Sequence, residues 1–264
     1  MSETEDPIDT GYTSQIGHTW NRSKHLSFVI PARNEGGYIG DSLLNLATLR
    51  SRYDLDFDII VVDGGSSDDT VLNCHLADKL IQDSVLARRS IAHGRNIGSQ
   101  HSQAELLFHT DADVIVPDLQ LLLPELQRVF SLPNVVAATT RILPYPWDCK
   151  PIDRLMHSLI NRIIQLAIPL GALLGRGECQ IVRRSVFEQV GGYNGRIIVG
   201  EDCDLFHRLS RHGRIIYMSD FCVYHSSRRF RSYGYLKTFL IYLREAIWLM
   251  LRRKSFLSEW EVVR

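Results

Sequence analysis

The chain has 264 residues, of which 45% are hydrophobic and 23% charged, a composition typical of a soluble globular protein. This length allows one large α/β domain or two small ones, and because 30 basic and 30 acidic residues cancel, the total charge gives no indication of nucleic-acid binding. Residues 1–182 carry 15 basic and 22 acidic side chains (net −7), whereas residues 183–264 carry 15 and 8 (net +7). The basic C-terminal third favours an anionic partner such as phosphate or a membrane surface, with a dipolar surface of no further role as the alternative.

The cysteines and the N-terminal segment bear on the cellular compartment. The five cysteines are scattered and form no Cys-x-x-Cys pair, which argues against a zinc site or a disulfide framework and fits reduced thiols in the cytoplasm. The N-terminal segment MSETEDPIDT is acidic and lacks the apolar stretch of a signal peptide. We interpret residues 1–24 as a flexible N-terminal tail.

Strand and helix patterns alternate in the first half of the chain. Apolar runs predict strands at 25–31, 57–62, 85–89 and 106–108. Helices are predicted between them at 38–49, from about residue 70, and at 90–104. This alternation is typical of an open parallel sheet with crossover helices, in which ligands bind at the carboxyl ends of the strands. Three polar segments are therefore expected at one edge of the sheet: 31–35, 63–68 and 111–113.

The second half is predicted to continue with further helices and strands. Helices are predicted at 119–130, 185–190, 201–212 and 235–251, and a buried or interfacial helix pair within 152–174. Strands are predicted at 135–141, 180–182, 215–218 and 221–224. The last helix, which precedes a basic Arg-Arg-Lys run, could complete the core, pack on a second subunit or rest on a membrane surface. Its charged residues argue against a membrane span.

Two carboxylates stand at the centre of the chain, in the run LLFHTDADVIV. Asp111 and Asp113 directly follow a predicted strand, and such a pair suits the oxygen ligation of a divalent cation. A polar turn is the alternative for an isolated Asp-x-Asp. The two polar strand-end segments that precede this pair favour a binding site.

Four segments in chain order carry a resemblance to a known family: FVIPARNEGGYI, DIIVVDGGSSDDT, GRNIGSQHSQAELLFHTDADV and CQIVRRSVFEQVGGYNGRIIVGEDCDLFHRL. In this order and spacing they resemble the family 2 glycosyltransferases, from about Ser27 to about Arg229. The resemblance implies an α/β protein of the GT-A (nucleotide-diphospho-sugar transferase) fold, with a mostly parallel central sheet flanked by helices. It also implies a catalytic domain at 25–230, divided into a nucleotide-sugar-binding half (25–118) and an acceptor half (119–230). An apolar, amphipathic C-terminal helix at 231–264 would follow.

The resemblance implies roles for individual residues. The base and ribose of the donor would contact Pro31, Arg33, Glu35 and Asp63, and the diphosphate would lie near Gly94, Arg95, Asn96 and Gly98. Arg228, Arg229 and Arg231 follow His225 directly and could close over the diphosphate. The donor would also contact Asp111, Ala112 and Asp113. A Mg2+ or Mn2+ ion would be held by Asp111, Asp113 and His225, and a structural role is the alternative for the histidine. Asp202 would be the general base and Glu201 an orienting group on the acceptor side.

Purely structural roles are the alternatives for several of these side chains. Arg33 and Glu35 could form a surface ion pair, and Glu201 and Asp202 could simply favour a helix N-terminus through its dipole. Ser66 and Asp68, by contrast, are predicted to shape a turn and cap the following helix rather than to touch ligand.

The implied activity is inverting transfer of one sugar from a UDP- or GDP-sugar to an acceptor hydroxyl or phosphate. The Gln/Arg-x-x-Arg-Trp sequence of processive polysaccharide synthases is absent, which favours single addition. The acceptor would be a glycan, a small molecule or a polyprenyl-phosphate-type lipid. We expect a cytoplasmic protein, with peripheral association at the cytoplasmic face of the membrane and a homodimer as further expectations. The sugar, the base and the acceptor depend on the variable segments 141–178 and 226–250 and stay open.

Three competing functions are weighed against this interpretation. A haloacid-dehalogenase-type phosphatase also places Asp-x-Asp after a strand, but on the first strand of its domain, whereas here two βα units precede the motif. A non-catalytic nucleotide-sugar-binding subunit is disfavoured because Asp111, Asp113 and Asp202 are all retained. A nucleotidyltransferase would be expected to carry a lysine in the first loop, where this chain has ARNEGG.

Overall fold

The computed structural model describes residues 25–83, 90–170 and 174–252, which form one eight-stranded sheet flanked by helices. The strands are β1 (Leu26–Ala32), β2 (Phe57–Asp63), β3 (Lys79–Gln82), β4 (Leu106–His109), β5 (Val114–Ile115), β6 (Val135–Pro144), β7 (Gln180–Arg183) and β8 (Arg214–His225). The helices are α1 (Ile39–Tyr53), α2 (Ile91–Gln100), α3 (Leu119–Ser131), α4 (Pro151–Ala167), α5 (Arg184–Gln189), α6 (Glu201–Leu209), α7 (Arg228–Tyr233) and α8 (Tyr235–Arg252).

The strand order is β3-β2-β1-β4-β7-β6-β8-β5. The first four of these strands are mutually parallel. Strand β7 runs antiparallel to both β4 and β6, β6 and β8 are parallel, and β5 is antiparallel to β8. The predicted α/β architecture with a mostly parallel central sheet is confirmed. The carboxyl ends of β1, β2 and β4 therefore meet at one edge, where the three polar segments follow them.

The central strands are buried on both faces, as expected for parallel strands covered by helices. Phe28 of β1 stacks on Phe108 of β4 with 4.7 Å between ring centroids, and meets Phe57 edge-on at 5.1 Å. On the other face, Gly98 lets α2 approach the sheet, because a Cβ there would lie 2.5 Å from Cγ1 of Val29. Gly98 of the GRNIGSQ segment is thus explained by the close packing of α2 on the sheet.

Strand β8 is one continuous strand where two were predicted, at 215–218 and 221–224. The register of its pairing with β6 shifts between Thr140 and Arg141. At this shift the hydroxyl of Thr140 lies within hydrogen-bonding distance of the carbonyls of both Met218 and Phe221. The intervening Ser219-Asp220 pair is therefore accommodated as an irregularity within the strand, and pairing continues to His225.

Other predictions in the first half differ from the structure. The helix predicted from about residue 70 is only a short 3-10 turn, Leu72–Cys74. It follows a loop in which Asp68 accepts hydrogen bonds from the backbone N–H groups of Gly36 and Thr70. Strand β3 was not predicted, since KLIQ is short and mostly exposed. The strand predicted at 85–89 lies outside the described residues.

Two elements in the second half also differ. The helix pair predicted within 152–174 is a single helix, α4, followed by a 3-10 turn at Ile168–Leu170. Pro169, which lacks a backbone N–H, cannot continue the α-helical hydrogen bonding. Helix α7 was not predicted, and the C-terminal helix begins at Tyr235, with residues 253–264 outside the described range.

Helix α4 packs against the sheet with polar side chains. Asp153, His157 and Asn161 lie on its inner face and are buried. The Asn161 amide bonds to both the N–H and the carbonyl of Ile142 at 3.1 and 2.9 Å, and Nδ1 of His157 lies 3.1 Å from the same carbonyl. These bonds satisfy buried backbone groups of β6 and fix which side of α4 faces inward.

Burial lowers the pKa of His157 to about 3. The unfolded chain therefore takes up a proton at this residue between about pH 6.5 and 3, whereas the folded protein does not, so acid lowers the free energy of unfolding by up to about 1.4 kcal/mol per pH unit. His157→Asn, which keeps a donor for Ile142, is expected to flatten this dependence in urea unfolding between about pH 7 and pH 4. An exposed histidine changed in the same way, His75→Asn, serves as the control. Equal slopes for His157→Asn and the unmodified chain would contradict this account.

Candidate active site

Asp111, Asp113 and His225 form a cluster of potential metal ligands, in which one ligand atom of each lies within 4.8 Å of the others. Nε2 of His225 is 3.3 Å from Oδ1 of Asp113. The backbone explains this proximity, because β5 and β8 pair in a register that sets Val114 opposite His225. The structure thus brings together all three residues predicted for the metal.

The cluster fits a divalent cation of the predicted kind, Mg2+ or Mn2+. Carboxylate oxygens suit both ions, and an imidazole can complete the set for Mn2+. Nδ1 of His225 is buried without a hydrogen-bond partner, and its nearest acidic group is Oε1 of Glu178 at 3.8 Å. Burial alone would raise the pKa of Asp113, but His225 and Arg228 hold it below its usual range. Asp113 is therefore charged, as a carboxylate ligand of a cation must be.

Arg228 connects the first loop to this cluster. Its Nη2 donates to both carboxylate oxygens of Glu35, at 2.7 and 2.8 Å, and its Nε lies 3.1 Å from Oδ2 of Asp113. The guanidinium also lies 4.4 Å above the ring of Tyr38. Burial raises the pKa of Glu35 to about 7 in spite of this arginine. Glu35 thus pairs with Arg228 rather than with Arg33, which is exposed at the rim.

The loops after β1 and β2 are bonded to each other. The buried carboxylate of Asp63 accepts from the N–H and the hydroxyl of Ser66, and that hydroxyl accepts from the backbone N–H of Asn34 at 2.8 Å. Asp68 accepts from the N–H of Gly36 at 3.0 Å. Ser66 and Asp68 thus shape the turn as predicted, but the α-helix that they were predicted to cap is only the 3-10 turn Leu72–Cys74. Contacts of the donor with this pair of loops remain predictions.

Arg95 is 1% exposed and lies between Asp111 and Glu201. Its Nη2 lies 2.7 Å from Oδ1 of Asp111, and its Nη1 lies 2.7 Å from Oε1 of Glu201. The guanidinium also donates to the carbonyl of Gly177 and lies 5.4 Å from the ring centre of Tyr193. Its charge is thus already shared by two carboxylates. This geometry gives Arg95 a positioning role, and its contact with a diphosphate remains a prediction.

Three neighbours predicted to bind the donor are engaged in the scaffold. A Cβ on Gly94 would lie 3.2 Å from Cβ of Pro31, so this glycine permits close packing of α2 on β1. The side chain of Asn96 bonds to both backbone groups of Tyr193 at 2.8 Å. Ala112 is buried in the core. Arg229 follows Arg228 on α7 and is half-buried.

Glu201 and Asp202 begin helix α6, after Gly200 with φ +85°. Burial raises the pKa of both carboxyl groups, and for Glu201 the neighbouring Asp202 adds to this effect, while Arg95 opposes it in both. Oδ1 of Asp202 accepts from the N–H of Cys203 at 2.7 Å. Asp202 is a half-buried carboxylate with a raised pKa, close to a second acid that is paired with an arginine. This combination suits the uptake of a proton.

Two further side chains of the site, Glu178 and Tyr145, were not predicted from the sequence. Glu178 is paired with Arg176 at 2.6 Å and approaches His225, and the hydroxyl of Tyr145 donates to the carbonyl of Asp113 at 2.7 Å. Both lie in segment 141–178, where no motif stood out. An acid directly before the apolar strand CQIV was the one local signal for Glu178.

Comparisons with known proteins agree with this geometry. The model of Glycosyl transferase family 2 matches residues 27–191. A curated relative, the uncharacterized glycosyltransferase YfnE of Bacillus subtilis (strain 168), is 35% identical over 92 residues, which are 34% of this chain and 23% of that protein.

Solved structures with the same fold include the mannosyltransferase PcManGT from Pyrobaculum calidifontis, in complex with GDP-Man and Mn2+ (TM-score 0.61, 20% identity, covering 85% of this chain and 66% of that one). TarS 1-349 of S. aureus in complex with UDP-GlcNAc is also similar, with a TM-score of 0.59 and 18% identity over 78% of this chain and 59% of that one. A third is the glucosyl-3-phosphoglycerate synthase of Mycobacterium tuberculosis in complex with phosphoglyceric acid, with a TM-score of 0.58 and 18% identity over 88% of this chain and 80% of that one.

These likenesses establish the GT-A fold. The matched part of YfnE, PcManGT and TarS is in each case less than two thirds of that protein. The family model covers more than half of the present chain, and it spans β1, the Asp-x-Asp motif and β7. The resemblance inferred from the four sequence segments is thereby confirmed, and the chain belongs to glycosyl transferase family 2.

Proposed function

We propose that the protein moves one sugar from a nucleoside-diphosphate sugar to an acceptor hydroxyl or phosphate, with inversion at the anomeric carbon. The observation that carries this proposal is the cluster of Asp111, Asp113 and His225 at the sheet edge, joined through Arg95 to Glu201. One half of this site suits a diphosphate with its cation, and the other half supplies a base.

The donor is proposed to be a UDP- or GDP-sugar. The complex of PcManGT contains GDP-Man and Mn2+, and that of TarS contains UDP-GlcNAc. In this chain the bonded loops after β1 and β2 would receive the base and ribose. Asp111, Asp113 and His225 would hold Mg2+ or Mn2+, which when bound neutralises the diphosphate and stabilises it as a leaving group.

Asp202 is the proposed general base. Its carboxylate would take the proton of the acceptor group as the acceptor oxygen forms a bond to the anomeric carbon, and the bond from that carbon to the diphosphate oxygen breaks. Attack from the face opposite the leaving group inverts the anomeric centre. Glu201, fixed by Arg95, would orient the acceptor side.

The acceptor is proposed to be a glycan, a small molecule or a polyprenyl-phosphate-type lipid. The M. tuberculosis synthase is in complex with a small anionic molecule, phosphoglyceric acid. A cytoplasmic location, peripheral association with the membrane and a homodimer remain predictions for this chain.

A thermal-shift panel of UDP-, GDP- and dTDP-sugars with and without Mn2+ or Mg2+ tests the donor half. A donor at about 100 times its Kd stabilises the folded state by about 2.7 kcal/mol, which for a chain of this size is a rise in Tm of roughly 5–10 °C. We expect the rise to require the cation, and to disappear in Asp113→Asn but not in the exposed control Asp220→Asn. A full set of donors that leaves Tm unchanged would contradict the site assignment.

The competing functions make different predictions in the same assays. A phosphatase would release phosphate from simple esters without a sugar donor. A binding-only subunit would show the metal-dependent shift but transfer sugar to no acceptor. The position of the Asp-x-Asp motif after β4, with two βα units before it, supports the glycosyltransferase.

A further inference from the structure

The outer face of α4 is apolar and has no partner among the described residues. While Asp153, His157 and Asn161 point inward, the exposed fractions of the outer apolar side chains range from 38% to 62%. They recur at helical spacing: Ile152, Leu155, Leu159, Ile163 and Leu166. A helix at the surface of a soluble protein normally has the opposite arrangement, with its apolar face on the core.

Helix α8 repeats this arrangement. Thr238 and Glu245 on its inner side are each 2% exposed, whereas Leu236, Leu240 and Leu243 are 71%, 52% and 46% exposed. An exposed apolar row on a helix marks a binding site more often than scattered single exposures do.

The two helices begin next to each other. Oη of Tyr235, the first residue of α8, donates to Oδ1 of Asp153 in the first turn of α4 at 2.8 Å. Arg231 of α7 donates to the other oxygen of Asp153 at 2.6 Å. The apolar rows of both helices therefore start from one polar junction, and we call them together the α4–α8 surface.

The exposed charged side chains of helices α4 and α8 themselves are basic. The only acidic residues of the two helices, Asp153 and Glu245, are 0% and 2% exposed. Arg154, Arg162 and Lys237 are exposed and have no salt bridge in the part of the chain that the structure describes. Leucine rows with basic side chains beside them complement the acyl region and the anionic headgroups of a lipid surface. A second copy docking through the same face would bring these basic groups together, because a two-fold interface pairs a patch with itself.

From this complementarity we propose that the α4–α8 surface docks on a membrane that contains anionic lipids. Among the described residues, no helix is both long and apolar enough to cross a bilayer. The two helices would instead lie in the interfacial plane, with their leucines inserted and their basic side chains at the headgroups. Helix α7 then links the membrane to the active site, since Arg231 anchors α4 and Arg228 contacts Asp113.

Co-sedimentation of the full-length protein with vesicles tests this proposal. We expect binding to phosphatidylcholine vesicles that contain phosphatidylglycerol, and little binding to phosphatidylcholine alone or at high salt, where the headgroup attraction is screened. The double variant Leu155→Asn/Leu159→Asn is expected to lower the partition coefficient about tenfold, because the apolar contact area with the lipid is lost. Thermal unfolding of each variant establishes that it is folded.

The matched control is Leu44→Asn/Leu121→Asn, which changes two leucines of similar exposure, 57% and 63%, on α1 and α3. Three results would overturn the proposal: no binding to the anionic vesicles, equal losses for the two double variants, or a dimer that Leu155→Asn/Leu159→Asn abolishes in analytical ultracentrifugation without any vesicle binding. The readout needs no catalysis, and the donor-induced thermal shift should be unchanged in both variants. A failure here is thereby distinct from a failure of the proposed glycosyl transfer.

Discussion

Replacing Asp202 by asparagine is expected to lower the rate of sugar transfer by roughly 10²–10⁴-fold, the usual contribution of a general base. The amide cannot take up the acceptor proton, while its size and its hydrogen bond from the N–H of Cys203 can be kept. Asp202 is not among the residues proposed to bind the donor, so the metal-dependent thermal shift should stay as in the unmodified chain. The measurement is initial transfer rate with a saturating donor.

Asp204 provides the matched control on the same helix. Its carboxylate pairs with Arg208 at 2.8 Å and does not face the site, so Asp204→Asn should transfer sugar at nearly the unmodified rate. If the transfer rate of Asp202→Asn were within a few-fold of that of the unmodified chain, Asp202 would not be the general base. Loss of the donor-induced shift in this variant would instead assign Asp202 to donor binding.

Replacing Arg95 by methionine is expected to cost about 3–5 kcal/mol of stability, as is typical when one partner of a buried ion pair is removed. Two carboxylates, Asp111 and Glu201, would lose the guanidinium that lies 2.7 Å from each. Burial and the neighbouring acids already raise the pKa of Glu201, and without Arg95 that pKa would rise further. Urea unfolding at neutral pH measures the loss.

The control for this effect is Arg128→Met, which removes an exposed pair with Glu125 and should change stability by about 0.5 kcal/mol or less. The double variant Arg95→Met/Glu201→Gln should recover part of the lost stability. In this variant only Asp111 is left as a charge that has lost its arginine, whereas Arg95→Met leaves both Asp111 and Glu201. Equal losses for Arg95→Met and Arg128→Met would show that the buried arginine does not hold the site together.

The parallel half of the fold was predictable because its strands are buried on both faces. Uninterrupted apolar runs such as FDIIVV are followed by polar residues, and these polar residues indicated the edge of the sheet where the candidate site lies. Strand β3 carries no such run, since its residues are mostly exposed. The contact between Arg228 and Glu35 joins residues 193 positions apart, and no local pattern contains that information.

Which face of α4 is buried could not be predicted from the sequence. The apolar segment 152–174 was predicted to form a buried or interfacial helix pair, and the usual arrangement would place the leucines and isoleucines of α4 inside. The structure has the reverse, because Asn161 and His157 satisfy the backbone of β6 and the apolar row is left outside. Periodicity identifies two faces of a helix, whereas the unpaired groups of its neighbours decide which face is buried.

The pairing of Val114 with His225 constrains how this protein can vary. Side chains along a strand alternate between faces, so one residue inserted or deleted between Phe221 and His225 would slip the register and turn the imidazole away from Asp113. The irregularity near Thr140 lies upstream of this stretch and could absorb a change of length. The number of residues from Phe221 to His225 is therefore under as strict a constraint as the histidine itself, and changes of loop length should accumulate before residue 221.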